Sequence, residues 1–534
     1  MTRCAQALVQ LLQAYDVDTV FGIPGVHTVE LYRALVDSGL RHISPRHEQG
    51  AGFMADGYAR ASGKPGVCFI ITGPGMTNIL TAMGQAYADS IPMLVISTSL
   101  RREHQHLGHG HLHEMPDQRA LVQGVCAFSH SLQCPTQLPE VLARAFAVFT
   151  CSRPRPVHIE IPLDVLMMSV AGLDLRPRHL PRVPQPSAQD LAEAAKLLAR
   201  SQKPLILAGG GARHVGSVLD ELARQLCAPV ALSTNARGLL PPEHPLLLDG
   251  VLSAPHGREL LDEADVVLAV GTELGETDYD FFGLGPLSFK GALIRLDIDP
   301  QQVLGLHRAE VSLVGDATAG LQVLLPLIPA RTPLNGWGAG AVQRVNSCER
   351  QSWTPRQLVM QGLLDCLRDT LPSPVLVGDS TQPVYQGAVG YRALQINGWF
   401  NAATGFGTLG YALPAAIGAK LATPQQQVVA IIGDGGLQFS SAELLAAREA
   451  GVGLLIVLWN NQCYGEIRDY MQAQEVQPLG VDILPPDFAA LAGAYGIHYH
   501  CLKSLPQLRQ LLPQLAGTDD VHLLELPAQD WLPD

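Results

Sequence analysis

The sequence predicts an α/β protein built from three doubly wound domains with parallel sheets. Short, continuous apolar runs recur along the 534 residues and alternate with segments in which apolar residues have helical spacing. Uninterrupted apolar strands joined by helices are typical of parallel sheets that are covered on both faces. The composition, 47% hydrophobic and 16% charged, indicates large buried cores rather than disorder.

Two stretches without helix or strand periodicity divide the chain. Residues 176–187 are rich in Pro and basic side chains, and residues 328–341 are rich in Pro, Gly and Ala. They predict domains at residues 1–175, 188–328 and 342–534, each of an ordinary domain size.

Each of the three parts alternates predicted helices and strands. The chain opens with an amphipathic helix around residues 8–15. In the first part, strands are predicted at residues 18–22, 67–72 and 93–98; in the second, at 204–211, 229–234, 265–271 and 292–299; in the third, at 374–379, 427–435 and 454–461.

Charge and terminal patterning limit the classes of partner. A formal net charge of −13 argues against a general nucleic-acid partner. The first helix carries Gln and Asp and does not resemble a signal peptide, and no apolar run reaches the length of a membrane span. The ten cysteines form no CxxC pair. These features predict a cytoplasmic protein with free thiols and no membrane partner.

A candidate metal site lies in the third part. The apolar core of strand 427–435, residues 428–432, runs into four residues that combine one carboxylate with three glycines, Gly433, Asp434, Gly435 and Gly436. The next strand ends beside Asn461, and the carboxyl ends of neighbouring parallel strands meet at one edge of a sheet. Carboxylate and amide oxygens suit Mg²⁺ or Ca²⁺. The glycines let a diphosphate approach the backbone closely.

A helix is predicted between these two strands. Ser440 and Glu443 have the spacing of a capping box, which predicts a helix start at that point. A glycine-rich turn between strand and helix also occurs without any ligand. The pairing of Asp434 with Asn461 across a whole helix–strand unit is more specific than the turn alone.

These motifs resemble those of thiamine-diphosphate enzymes, because GDG is followed after 24 residues by NN. Further blocks resemble the branch of acetolactate synthases and 2-oxo acid decarboxylases. They lie at residues 21–25, 46–51, 56–60, 72–75, 89–92 and 410–418. The resemblance implies that the three domains are, in order, pyrimidine-binding, central and diphosphate-binding. It also implies that thiamine diphosphate is held through Mg²⁺.

The resemblance assigns roles to individual residues. Glu48 matches the glutamate that hydrogen-bonds the pyrimidine ring of the cofactor. Leu409 matches the bulky residue that bends the cofactor, and Cys463 is expected to give its backbone carbonyl as the third metal ligand. Other cofactor contacts are expected from Thr381, Gln382 and Gly407. Active sites in this family lie between subunits, which implies a homodimer or a homotetramer.

The resemblance implies decarboxylation of a 2-oxo acid through a cofactor ylide and an enamine, and non-oxidative decarboxylation is the predicted reaction. One alternative is a carboligase of the acetolactate synthase type that acts on pyruvate. A second alternative is a binding protein without activity on the same fold. FAD is not expected, because the second domain lacks the flavin-loop pattern of the acetolactate synthases.

Residues after Asn461 bear on the substrate. By the resemblance, Glu466, Ile467 and Tyr470 line the substrate pocket, where the family usually has an apolar residue at the position of Glu466. A buried carboxylate needs a cationic partner, and guanidinium pairs with carboxylate through two hydrogen bonds. The sequence therefore predicts a 2-oxo acid with a guanidinium tail, and the whole chain resembles 5-guanidino-2-oxopentanoate (2-ketoarginine) decarboxylases.

Five histidines lie within residues 104–113. A zinc site is one interpretation, but the spacing is mostly two residues and no cysteine accompanies them. Decarboxylases of this family often use histidines of this loop to transfer protons. His113 is therefore the predicted catalytic histidine.

Overall fold

The fold consists of three parallel sheets, each flanked by helices. The computed structural model describes residues 2–249, 251–279, 283–330 and 336–532. Every strand pairing within these sheets is parallel. The predicted fold class is confirmed.

The first sheet has the strand order β2-β1-β3-β4-β6-β5. Its strands are β1 (Thr19–Gly22), β2 (Arg41–Ile43), β3 (Gly66–Ile70), β4 (Met93–Ser99), β5 (Phe128–Ser131) and β6 (Val157–Pro162). The accompanying helices are α1 (Cys4–Ala14), α2 (Val29–Leu35), α3 (Glu48–Ser62), α4 (Pro74–Ala88), α5 (Gln118–Val122), α6 (Leu138–Cys151) and α7 (Leu163–Leu166).

The second sheet has the order β11-β10-β9-β7-β8. Its strands are β7 (Pro204–Ala208), β8 (Val230–Leu232), β9 (Val266–Val270), β10 (Ala292–Asp297) and β11 (Val311–Val314). The helices are α8 (Ala188–Arg200), α9 (Ser217–Leu226), α10 (Pro255–Glu263), α11 (Glu276–Tyr279), α12 (Pro300–Val303) and α13 (Ala317–Leu324).

The third sheet has the order β13-β12-β14-β15-β17-β16. Its strands are β12 (Val375–Gly378), β13 (Trp399–Asn401), β14 (Val428–Gly433), β15 (Leu454–Asn460), β16 (His498–Cys501) and β17 (Val521–Pro527). The helices are α14 (Ala339–Ser352), α15 (Pro355–Thr370), α16 (Gln382–Gly390), α17 (Ala412–Ala422), α18 (Asp434–Ser440), α19 (Glu443–Glu449), α20 (Gly465–Ala473), α21 (Phe488–Tyr495), α22 (Leu505–Leu515) and α23 (Ala528–Trp531).

Short 3₁₀ helices complete the connections between these elements. They are Arg102–His104, Gln123–Val125, Pro135–Gln137, Gly210–Ala212, Thr234–Ala236, Val251–Ser253 and Leu325–Leu327. In the described part of the chain, no helix is both long and apolar enough to cross a membrane. None of the ten cysteines forms a disulfide bond, as the sequence predicts.

The second and third sheets are joined by α14, which packs on the second domain. Ala341, Val342 and Val345 belong to a hydrophobic cluster of that domain. The Trp337 ring N–H donates to the carbonyl of Pro204 at 3.0 Å. Part of the predicted linker, residues 331–335, lies outside the described residues. The domain limits proposed from the sequence stay predictions.

Helices α3 and α17 hold the first and third domains together. A Cβ atom added at Gly57 would lie 1.9 Å from the carbonyl oxygen of Ala415, and one added at Gly418 would lie 1.9 Å from that of Met54. The two backbones therefore touch, and only glycine permits this approach. Buried apolar residues of both domains form one continuous core around the contact.

A buried polar network joins all three domains beside this contact. The Arg60 guanidinium lies 2.6 Å from the carboxylates of both Asp56 and Asp89 and donates to Asn235 of the second domain at 2.8 Å. The Tyr411 hydroxyl of the third domain donates to Asp56. Because charges this deep need partners, the network fixes how the three domains meet.

Candidate active site

The carboxyl ends of β14 and β15 bring Asp434 and Asn461 together. The two strands pair with Gly433 opposite Trp459, so the next residues leave the sheet side by side. The Asn461 backbone N–H donates to Asp434 Oδ1 at 3.4 Å, and Asn461 Oδ1 accepts from the Cys463 N–H at 3.3 Å. The predicted ligand residues therefore share one turn at this edge of the sheet.

Asp434 has the environment of a cation ligand. Its side chain is buried, and Oδ2 has no hydrogen-bond partner among the described residues. Burial raises the pKa of this carboxyl group. A buried, unpartnered carboxylate oxygen is costly unless a cation binds it. The donor set of carboxylate, amide and carbonyl oxygens fits Mg²⁺.

The glycines beside Asp434 make room for neighbouring chain segments. A Cβ atom at Gly433 would lie 3.1 Å from Thr381 Oγ1, and one at Gly435 would lie 2.7 Å from the Tyr464 ring. At Gly436 the nearest atom would be Asp379 Oδ1, at 3.1 Å. The start of α18 is therefore closely packed by side chains from three other segments, and larger residues would not fit there.

Thr381 and Gln382 lie at the start of α16, next to the metal turn. Gln382 Oε1 accepts from the Trp459 ring N–H at 3.0 Å and from the Asn461 amide at 3.3 Å. Its Nε2 is buried and unpartnered within the described ranges. A fixed amide with a free donor suits a ligand that carries phosphate oxygens.

Asp379 is a structural residue of the site that the sequence argument did not assign. It directly follows β12 and accepts from the backbone N–H groups of Ser380, Gly410 and Ala412 at 2.9, 3.3 and 3.1 Å. Burial raises its pKa to about 6. These bonds anchor the loop that carries Gly407 (φ +70°) and Leu409. Gly407 is exposed and Leu409 is half-buried, so both remain available to a ligand or a second chain.

Glu48 is the first residue of α3 and is held from its own domain. Asn78 donates to Glu48 Oε2 at 2.9 Å, and His47 caps the helix by accepting from the Gln49 N–H at 3.1 Å. A Cβ at Gly75 would lie 3.4 Å from Glu48 Oε1. The carboxylate is half-buried and has a fixed orientation.

His113 faces a second histidine that the sequence argument missed. The rings of His113 and His27 have centroids 5.1 Å apart, and Nδ1 of each is buried without a partner in the described residues. His113 has a φ of +62°, and a Cβ at Gly73 would lie 2.9 Å from its Cβ. Burial, then His113, lowers the pKa of His27. Two imidazoles thus lie beside the Thr72–Gly75 segment.

The rest of the histidine loop is held by a carboxylate. Glu114 accepts from the backbone N–H groups of Gly108, Gly110 and His111 at 2.9, 2.7 and 2.9 Å. The rings of His104 and His111 stack at 4.4 Å. Within the described residues, this loop does not bring three metal-ligating side chains together.

Helix α20 presents the predicted substrate residues to the outside of the chain. Ile467 and Tyr470 are 54% and 65% exposed, and the Glu466 side chain is 46% exposed. The sequence predicts a buried Glu466, whereas in the single chain this side chain is half-exposed and has a cation of the protein nearby. Arg356 lies 3.8 Å from Glu466 and 3.0 Å from Asp469. Partial burial raises the pKa of Glu466, against the effect of Arg356.

Comparison with known proteins identifies the class. Three family models match the chain, and all three describe thiamine pyrophosphate enzymes. They are the "N-terminal TPP binding domain" over residues 2–121, the central domain over 191–324 and the "C-terminal TPP binding domain" over 379–526. The chain belongs to the thiamine pyrophosphate (thiamine diphosphate) enzymes, and thiamine diphosphate is its cofactor.

Individual relatives align along nearly the whole chain. A protein of Pseudomonas aeruginosa described as "Probable 2-ketoarginine decarboxylase AruI" is 46% identical over 98% of this chain and 93% of its own length. The large subunit of acetolactate synthase isozyme 2 of Escherichia coli is 33% identical over 98% and 95%. A probable acetolactate synthase large subunit of Methanocaldococcus jannaschii is 31% identical over 98% and 91%.

Proposed function

We propose that this chain decarboxylates 5-guanidino-2-oxopentanoate without oxidation, in an active site formed between two subunits. The observation that carries the substrate assignment is the Glu466 carboxylate on α20, which Arg356 holds only loosely. Glu466 and Asp469 already share one guanidinium, that of Arg356, at 3.8 and 3.0 Å. The long Glu466 distance leaves that carboxylate able to accept a second guanidinium. The 46% identity to a probable 2-ketoarginine decarboxylase supports the same substrate.

The residues of the third domain would hold the diphosphate end of the cofactor. Asp434, Asn461 and the Cys463 carbonyl would bind Mg²⁺. Phosphate oxygens of the cofactor would complete the coordination of the ion. Thr381, Gln382 and the N–H groups of Gly435 and Gly436 would contact the diphosphate, with Gly433 allowing the approach. Among the described residues, Asp434 Oδ2 and Gln382 Nε2 are buried and have no hydrogen-bond partner, which supports this assignment.

The residues of the first domain would act at the reacting end. When bound, thiamine diphosphate would supply a nucleophilic carbon and a sink for the electron pair that stays behind when carbon dioxide leaves. Glu48, oriented by Asn78, would hold a proton between its carboxylate and the pyrimidine ring. Gly407 and Leu409 of the partner chain would support that ring. His113, beside His27, would give the proton that replaces carbon dioxide on the product carbon.

A second subunit would complete this site. Phe406 and Gly407 lie on the loop that Asp379 anchors, Ile467 and Tyr470 lie on α20, and all four residues are exposed in the single chain. Exposed apolar side chains beside a cofactor site indicate a surface that another chain covers. The minimum assembly would be a homodimer, with a homotetramer as the larger alternative.

The substrate assignment is tested by comparing two acids that differ only in the guanidino group. Wild type should prefer 5-guanidino-2-oxopentanoate over 2-oxopentanoate, and Glu466→Gln should lower kcat/KM for the guanidino acid at least about tenfold, equivalent to about 1.4 kcal/mol. The same substitution should leave turnover of 2-oxopentanoate nearly unchanged. Asp469→Asn, on the same helix and bound to the same arginine, is the matched control.

Product analysis separates the alternatives. Formation of acetolactate from pyruvate, with no preference for the guanidino acid, would identify a carboligase instead. Equal loss of activity on both acids in Glu466→Gln would assign Glu466 a structural role and remove the basis for the guanidinium substrate. Absence of carbon dioxide release from any 2-oxo acid in the loaded enzyme would indicate a binding protein.

A further inference from the structure

A cluster of histidines lies at the edge of the third sheet, outside the candidate active site. Edge strand β16 pairs in parallel with β17, with His498 directly opposite His522. Because side chains alternate along a strand, His500 lies on the same face as His498. The ring centroids of His498 and His500 are 4.7 and 5.4 Å from that of His522. Asp520 immediately precedes β17 and lies 3.5 Å from His498 Nε2.

The geometry of this cluster is that of a metal site. The ligand atoms of His498, Asp520 and His522 all lie within 4.8 Å of one another. We propose that these three side chains bind one Zn²⁺ ion. Zinc takes imidazole nitrogen and carboxylate oxygen at about 2.0–2.2 Å, so its ligand atoms lie closer together than 4.8 Å. His498 and Asp520 are exposed and free to turn inward, whereas His522 is buried and fixed.

Contacts around His522 supply the orientation that a zinc ligand needs. His500 Nε2 lies 3.2 Å from His522 Nδ1, and Thr518 Oγ1 lies 3.2 Å from His522 Nε2. The ion replaces one of these partners, and the other keeps the ring in place.

The position of the site indicates a structural ion. His498 and His522 lie at the amino ends of β16 and β17, whereas Asp434 and Asn461 follow the carboxyl ends of strands in the same parallel sheet. The ion is therefore on the opposite edge from the cofactor. It ties the short outer strand β16 to β17 and to the turn before it.

Zinc titration of the holoenzyme tests this site. Protein saturated with thiamine diphosphate and Mg²⁺ is freed of transition metals and titrated with Zn²⁺, and bound zinc and Tm are measured. Wild type should bind one Zn²⁺ per chain and gain thermal stability. His498→Ala and Asp520→Asn should each lose this zinc and this gain. Both side chains are exposed, so the metal-free variants should unfold at the wild-type Tm and keep the wild-type kcat.

A control variant separates this cluster from the histidine loop of the first domain. His104→Ala combined with His109→Ala should keep the stoichiometric zinc. In wild type, Co²⁺ should show the visible absorption of a four-coordinate site, and His498→Ala should abolish it. No zinc in wild type, zinc that persists in both His498→Ala and Asp520→Asn, or zinc lost from the loop variant would each overturn the proposal.

Discussion

The Asp434 carboxylate lies where it stabilises a bound cation but lowers the stability of the protein that has no cation bound. Its Oδ2 is buried without a partner in the described residues, and its pKa is raised by burial. A raised carboxyl pKa means that the folded protein loses stability as pH rises above the ordinary value. A bound Mg²⁺ removes that penalty.

We therefore expect opposite effects of Asp434→Asn with and without ligands. Without ligands, the neutral amide should leave Tm at pH 8 unchanged or raise it by a few degrees, because about 1 kcal/mol corresponds to about 2–4 °C in a domain of this size. With Mg²⁺ and thiamine diphosphate, the wild-type rise in Tm should disappear, together with activity. Thermal unfolding under both conditions measures this, with Asp530→Asn, an exposed residue of the same domain, as control. An undiminished ligand-induced rise would show that Asp434 does not hold the metal.

The positions of single residues were predictable from the sequence where local connectivity alone brings the residues together. Asp434 and Asn461 follow adjacent parallel strands, so a strand–helix–strand pattern is enough to bring them together. His27 belongs to a loop after β1, and its contact with His113 depends on how two distant loops fold. The exposure of Glu466 likewise depends on where α15, which carries Arg356, packs. Contacts of this kind leave no periodic signal in the sequence.

At the scale of elements, the predicted capping box at Ser440 and Glu443 is wrong. Helix α18 begins at Asp434, and Ser440 is its last residue; α19 has no side-chain cap. Glu443 instead reaches the first domain, where it accepts from the backbone N–H groups of Arg46 and His47 at 3.0–3.1 Å. These residues directly precede Glu48. Glu443 therefore fixes the start of α3 from the third domain.

This contact predicts a pH dependence of stability. Burial raises the pKa of Glu443 from 4.5 to about 7. The native state therefore holds an extra proton in this range, and the stability contributed by Glu443 falls as pH rises from about 4.5 to about 7. Glu443→Gln keeps an acceptor oxygen and should lack this fall. Urea unfolding of both proteins between pH 5 and 8 should show the difference shrinking toward low pH, and a pH-independent difference would contradict the assignment.

Apart from β8, at the edge of the second sheet, the strands that the sequence predicted lie inside the sheets. Strands β3, β4, β7, β9, β14 and β15 are buried along their whole length or nearly so. The short edge strands β2, β5 and β16 carry polar side chains and gave no apolar run. Strand β6 was missed because it buries His158 and Glu160, whose partners Ser97 and Gln118 lie elsewhere in the domain.

At the scale of the whole molecule, the proposed site requires two chains, and mixing inactive variants tests this. Glu48→Gln and Asp434→Ala should each abolish activity in a homodimer. If one chain supplies Glu48 and the other supplies Asp434, a mixed dimer has one intact site and one doubly altered site. Mixing and reassociating the two variants should therefore restore activity, measured as carbon dioxide release. Two copies of the same variant, treated identically, are the control, and no recovery in the mixture would place both residues in a site within one chain.

The contact between α3 and α17 also has a consequence for folding during synthesis, because its two partners are made at different times. Asp56 on α3 and its partner Tyr411 are 355 residues apart in sequence. At about 5–20 residues per second, a ribosome needs roughly 20–70 s to make that stretch. Until then, the glycine face of α3 has no partner and Asp56 and Arg60 lack their third-domain contact. During this time the nascent first domain exposes surface that is buried in the finished protein. Chaperones are therefore expected to matter most at this stage of synthesis.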